Sequence, residues 1–170
     1  KKTFFAGGDL DSLAQAGPED VGSVFALTQR VNGPLRRLET LGRPVVAAIN
    51  GAALGGGLEI ALACHRRIAV DDPGLKVGLP EVTLGLLPGG GGITRLVRMV
   101  GVERALMDWL LPGTARDARA AMEKGILDEV VTDPADLVPA AKRWILEHRD
   151  DADAAVKPWD VKGFRIPGGT

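Results

Sequence analysis

Val45-Val46-Ala47-Ala48-Ile49-Asn50-Gly51-Ala52-Ala53-Leu54-Gly55-Gly56-Gly57-Leu58-Glu59 is the stretch whose reading decides the fold. The apolar run Val45 to Ile49 predicts a buried strand, and Leu58 to Cys64 predicts a helix, with a glycine-rich turn leading from one to the other. Gly55 to Gly57 have no side chain, so another molecule can approach the main chain closely. The first amides of a helix lack internal partners and lie at its electropositive end. They are suited to holding a negatively charged oxygen. Glu59 falls within about one turn of that start, at roughly 1.5 Å rise per residue. A carboxylate beside an oxyanion site points to proton transfer next to a carbonyl. The same residues also read as a plain strand-to-helix turn with a surface glutamate.

Outward from this stretch, strand and helix signals alternate. Phe4-Phe5 reads as the end of a strand, and Asp9 as the cap of a short helix through Gln15. Gly17-Pro18-Glu19-Asp20 opens a long amphipathic run to about Leu41. Gly33-Pro34 interrupts it, and Pro inside a helix costs about 3 kcal/mol, so a kink or two helices are expected there. Downstream, Arg67 to Val70 predicts a strand and Asp71 to Gly74 a turn. Val77 to Val82 reads as a short extended piece that includes a second candidate carboxylate, Glu81. Leu86 to Gly92 is a permissive loop before a helix from Ile93 to Met99. Further helices are expected over 103–110, 117–124 and 134–147, with a strand over 128–131 between the last two. This order implies parallel crossovers and an α/β domain.

The 170 residues, 45% hydrophobic, suffice for one globular core. With 21 Lys and Arg against 22 Asp and Glu, the net charge of −1 gives no electrostatic drive towards nucleic acid or an anionic membrane. Cys64 is the single cysteine, so no internal disulfide forms and a cytoplasmic setting is expected. Its apolar neighbours mark it as core filler. No apolar run reaches the roughly 18 residues of a membrane span. The first residues, Lys1-Lys2-Thr3, and the turn-rich tail from Pro158 to Thr170 read as the edges of a piece of something longer. Residues 1–148 are taken as the domain and 149–170 as a tail or linker.

Three ordered segments carry a family resemblance: Phe5-Ala6-Gly7-Gly8-Asp9-Leu10, then Ala47 to Glu59, then Leu79-Pro80-Glu81-Val82-Thr83-Leu84-Gly85-Leu86-Leu87-Pro88-Gly89-Gly90-Gly91-Gly92. Together they resemble the signature of the crotonase, or enoyl-CoA hydratase/isomerase, superfamily. Ala118, Ala121 and Gly125 to Val130 extend the likeness to about residue 148. The wording of Lys1 to Leu10, Cys64 to Ala69 and the tail is most similar to the hydratase part of actinobacterial multifunctional fatty-acid oxidation α-subunits. The resemblance implies a crotonase-like ββα spiral truncated at both ends, because the family's N-terminal strands and C-terminal helices fall outside Lys1 to Thr170. No Rossmann glycine pattern is present, so no use of NAD is assigned.

The resemblance also implies roles. Gly8 and Gly56 would supply the two oxyanion-hole amides for an acyl-CoA thioester oxygen. Glu59 and Glu81 match the glutamate pair with which hydratases add water across a trans-2-enoyl-CoA double bond. Ala6, Asp9, Leu10, Ala52, Leu54, Gly55, Pro80, Leu84 and Gly89 would line the substrate. Isomerase relatives typically keep one glutamate, so the pair favours hydration. Double-bond isomerisation, thioester hydrolysis, or a non-catalytic acyl-CoA-binding or assembly subunit are the alternatives. No metal or redox cofactor is implied, and family precedent suggests a homo-trimer or a larger multienzyme assembly. Pro112 replaces a Thr usual in the family, which alters a turn.

Other residues read as structural. His65 stands where many relatives carry Asp and has no second His or Cys beside it, so it is not a metal ligand. His148 reads as a solvated helix end. No Gly-x-Ser-x-Gly elbow supports serine hydrolysis. Gly89 to Gly92 lacks the Gly-Lys-Ser/Thr of a phosphate loop and is read as shaping the acyl pocket. Trp109, Trp144 and Trp159 are too separated for a base-stacking platform.

Overall fold

The computed structural model describes residues 3–7 and 17–169. Among the described residues six short strands are formed: β1 (Thr3–Ala6), β2 (Val46–Ile49), β3 (Ala52–Leu54), β4 (Arg66–Val70), β5 (Val77–Gly78) and β6 (Glu129–Val131). They alternate in chain order between two parallel sheets, β1-β3-β5 and β2-β4-β6. Val46 to Ile49 pair in register with Arg66 to Ala69, and Ile68 to Val70 with Glu129 to Val131. In the other sheet Ala6 pairs Leu54, and Leu54 pairs Gly78.

The helices are α1 (Val21–Glu39), α2 (Gly56–Ala63), α3 (Gly92–Val100), α4 (Val102–Arg104, continuing as a π-helical turn over Ala105–Leu110), α5 (Ala118–Glu123) and α6 (Leu137–His148). Alternation along β2 explains its two-sided burial. Ala47 and Ile49 enter the main core with Leu58, Leu62, Leu96 and Trp109, while Val46 and Ala48 pack on a second cluster of Ile68, Leu137, Ala140 and Ala141. α2 is buried nearly all round, as a helix that is apolar apart from Glu59 requires. Asp117 caps α5 by accepting from the Ala120 amide at 2.8 Å.

Four expectations need correction, and one lies out of reach. Ala52 to Leu54 is a strand between β1 and β5, where a continuous turn was expected. Two alanines and a leucine flanked by glycines carry no local strand signal, so pairing on both edges makes this element. Glu81 lies in a 3₁₀ turn, Pro80–Leu84, and not in an extended segment. Pro80 fixes the first φ of that turn. Of the two alternatives at Pro34, a kink or two helices, the second does not form, because α1 runs unbroken through that residue. Its C-terminal half is anchored by buried Leu35 and Glu39, whose contacts offset the missing hydrogen bond. His148 is half-buried and stacks on Trp144, with ring centroids 4.5 Å apart, instead of standing in solvent. The short helix expected after Asp9 lies outside the described residues.

The tail beyond residue 148 packs back on the body. Lys157 is buried, and its Nζ donates to the carbonyls of Leu62 and Cys64 at the C-terminal end of α2. Arg36 donates to both carboxylate oxygens of Asp160 at 2.9 and 2.7 Å. No helix among the described residues is long and apolar enough to cross a membrane.

Candidate active site

The centre of the site is the start of α2. β3 delivers the chain to Gly55, whose φ of 55° and ψ of −123° suit glycine, and whose amide donates to Gly78 O at 2.9 Å. The chain then turns into Gly56, the first residue of α2, leaving its amide among the unpaired ones at the helix start. β1 runs alongside through the Ala6–Leu54 pair. A Cβ on Gly56 would stand 3.5 Å from Gly7 O, and one on Gly57 only 1.9 Å from Phe5 O. The Gly56 distance is ordinary contact, so it is glycine at position 57 that lets β1 and α2 touch main chain to main chain. Gly8, Asp9 and Leu10 lie outside the described residues.

Glu59 is 4% exposed, one turn into α2, and its amide donates to Gly55 O. Its Oε1 accepts from the Gly92 amide at 2.8 Å, which joins the start of α2 to the start of α3. The other oxygen faces Gly90 so closely that a Cβ there would lie 2.5 Å from Oε2. Glu81 reaches the same region from the 3₁₀ turn: its Oε1 would lie 3.0 Å from a Cβ on Gly55. Its Oε2 is enclosed and has no hydrogen-bond partner. Burial pushes the Glu81 carboxyl up from its ordinary value, and the charge of Glu59 pushes it further, against the lowering effect of its own backbone amide. Pro80 is half-buried beside Glu81, whereas Leu84 and Gly89 are exposed, and Ala52 lies at the far end of β3 opposite Thr3. The structure therefore brings Gly55, Gly56, Glu59, Pro80 and Glu81 together and leaves Leu84 on the surface.

Sequence reasoning passed over three residues that build this site. Asn32 donates to Gly89 O at 2.8 Å, and Arg95 donates to Gly90 O at 2.6 Å and to Glu39 Oε1 at 2.8 Å. A signal existed: Glu39 lies one turn beyond buried Leu35 and Arg95 one turn beyond buried Gly92, on helix faces where charge is retained only if paired.

Of the residues read as structural, His65 and Cys64 are held by backbone contacts and burial. His65 accepts from the Val45 amide through Nδ1 at 3.0 Å, so its Nε2 donates to Glu39 O at 3.1 Å, and burial lowers its affinity for a proton. Cys64 is buried, its thiol pushed up by desolvation. Among the described residues no group of three or more His, Cys, Asp or Glu is arranged to hold a metal. Cavities of about 490 Å³ beside Arg43 and Arg149 and about 430 Å³ beside Trp144 and Trp159 are lined by residues other than the paired glutamates.

The sequence profile of the Enoyl-CoA hydratase/isomerase family matches residues 1–159. This chain belongs to that family. Among curated relatives, the fatty acid oxidation complex subunit alpha of Shewanella loihica is 49% identical over 132 residues, and that of Shewanella oneidensis 47% over 131. Each alignment covers 77% of this chain and 18% of the relative, so the chain spans about a fifth of the length of these relatives. Among solved structures, an enoyl-CoA hydratase from Thermoplasma volcanium superposes with a TM-score of 0.77 at 32% identity, covering 86% of this chain and 56% of that one. One from Bacillus anthracis gives 0.73 at 37%, covering 84% and 52%. The alternation of strands between two sheets is thus the α/β crotonase spiral, over about half the length of those structures.

Proposed function

We propose that this enoyl-CoA hydratase/isomerase family member hydrates trans-2-enoyl-CoA in fatty-acid β-oxidation. The observation that carries the reading is the convergence of two carboxyl groups, Glu59 and Glu81, at the start of α2, with one Glu81 oxygen enclosed and unpartnered. The raised affinity of Glu81 for its proton suits it to act as the acid. Glu59, held through one oxygen by Gly92, takes the other role. Water adds through its oxygen to the β-carbon as Glu59 accepts a water proton, and Glu81 delivers a proton to the α-carbon. The thioester oxygen carries negative charge between these events, held by the Gly56 amide and, from outside the described residues, by that of Gly8. The reaction needs no metal or redox cofactor. Relatives named as subunits of a fatty acid oxidation complex support a multienzyme assembly.

Loss of the conjugated enoyl-thioester absorbance with crotonyl-CoA tests this. Glu59→Gln and Glu81→Gln are each expected to lower kcat by about 10²–10⁴-fold, the usual contribution of a positioned acid or base. Product analysis separates hydration from isomerisation and thioester hydrolysis. No hydration by the chain, or hydration indifferent to both substitutions, overturns the proposal.

A further inference from the structure

Three of the four residues in the Gly89–Gly92 loop are tied by side chains from three different helices. Asn32 of α1 holds Gly89 O, Arg95 of α3 holds Gly90 O, and Gly92 donates its amide to Glu59 of α2. Arg95 is 6% exposed and Glu39 3% exposed, and their 2.8 Å ion pair is what permits either charge to be buried. The contact between loop and carboxylate is tight on both oxygens. A Cβ would lie 2.5 Å from Glu59 Oε2 at Gly90 and 3.0 Å from Oε1 at Gly92. At Gly91, where φ is +87°, a Cβ would lie 2.5 Å from Arg95 Nη1. The Gly90 main chain therefore packs directly on the Glu59 carboxylate, with no room for a side chain between them. Arg36 extends the chain of contacts, bonding Glu39 Oε2 at 3.1 Å and Asp160 of the tail.

We propose that Arg95, held by Glu39, is a positioning residue that sets the Glu59 carboxylate through the Gly90 and Gly92 backbone. Its importance for turnover rests on the hydratase reading above, but the positioning itself does not. An ion pair serving stability alone would leave the Gly92–Glu59 hydrogen bond indifferent to the identity of residue 95. A guanidinium shared between Glu39 and Gly90 makes that bond depend on it.

The test uses Arg95→Met, Arg95→Lys, Glu39→Gln and Glu59→Gln in the chain. The backbone amide resonance of Gly92 is followed by NMR at a temperature where each variant is folded. Arg95→Met is expected to move it in the same direction as Glu59→Gln does, with Arg95→Lys between Arg95→Met and the parent. Should Arg95→Met not fold, Glu39→Gln, which keeps the side-chain shape, takes its place. In turnover of crotonyl-CoA, kcat should fall about ten- to a hundred-fold for Arg95→Met with KM changed less than about twofold, the pattern of a misplaced reacting group. In the Glu59→Gln background the same substitution should cost nothing further. A Gly92 resonance unmoved in folded Arg95 variants, or kcat losses that multiply fully in the double variant, overturns the proposal. If the parent shows no hydration, the hydratase reading fails, and the resonance still decides the positioning.

Discussion

Gly57→Ala isolates the contact on which the site is built. Gly57 is the second residue of α2, and an added Cβ would meet Phe5 O at 1.9 Å and Phe5 C at 2.7 Å. Both atoms are backbone, and β1 is tied by register to β3, so neither can swing aside. To reach van der Waals distance, strand and helix must part by about 1.5 Å. Overpacking of this kind costs about 3 kcal/mol, at the upper end of the usual range because the obstacle is main chain. Ala in place of Gly inside a helix returns about 1 kcal/mol. The net loss of about 2 kcal/mol should lower the thermal midpoint by about 4–8 °C in a chain of this size. Gly22→Ala is the control, in the first turn of α1, exposed and with nothing within 4 Å of the new Cβ. It should stabilise by about 0.5 kcal/mol through propensity alone. Urea and thermal unfolding by circular dichroism read both. If Gly57→Ala is as stable as the parent, or gains as Gly22→Ala does, the main-chain contact between β1 and α2 is not as described.

Two pH dependences follow from buried ionisable groups. Lys157 is pulled down to about 7 from 10.5, first by burial and then by the Arg67 charge. The unfolded chain binds more protons in that interval, so the urea midpoint should climb from about pH 7 towards pH 10.5, and Lys157→Met should flatten the climb. A parent profile with no such rise would contradict the burial of the ammonium. Glu81 has the opposite sign: its folded carboxyl holds its proton more tightly than the unfolded one, so stability falls as pH rises from its ordinary value of 4.5 through the raised one. Glu81→Gln removes that part of the slope, and an unchanged slope in equilibrium unfolding across this interval would refute the assignment.

Much of the fold was legible because parallel strands buried on two faces read as continuous apolar runs. Val46 to Ile49, the apolar part of Arg66 to Val70, and Glu129 to Val131 all formed as strands within a residue or so of expectation. The exceptions share one cause. Ala52 to Leu54 is a strand only because β1 and β5 offer it partners, and Pro34 stays inside α1 because buried Leu35 and Glu39 hold the helix beyond it. Local propensity sees neither, since both are settled by contacts distant in sequence.

The same distinction divides the site. Gly56 and Glu59 were legible together because one helix start places an amide and a carboxylate within a turn, so a short run of residues contains both. Glu81 could be named from its motif, but its raised proton affinity could not be assigned to it over Glu59. That shift comes from enclosure and from the Glu59 charge, and the two residues are joined only by the fold. Arg95 stands further off still, paired across 56 residues with Glu39. A charge on an apolar helix face announces that a partner exists without saying where it lies. The Gly89–Gly92 loop was read as a shaper of the acyl pocket, and the fold adds that main-chain groups of Gly89, Gly90 and Gly92 are held by Asn32, Arg95 and Glu59. The glycines there leave room for a carboxylate to be gripped from the side, and that function becomes visible only when the start of α3 is set against the start of α2.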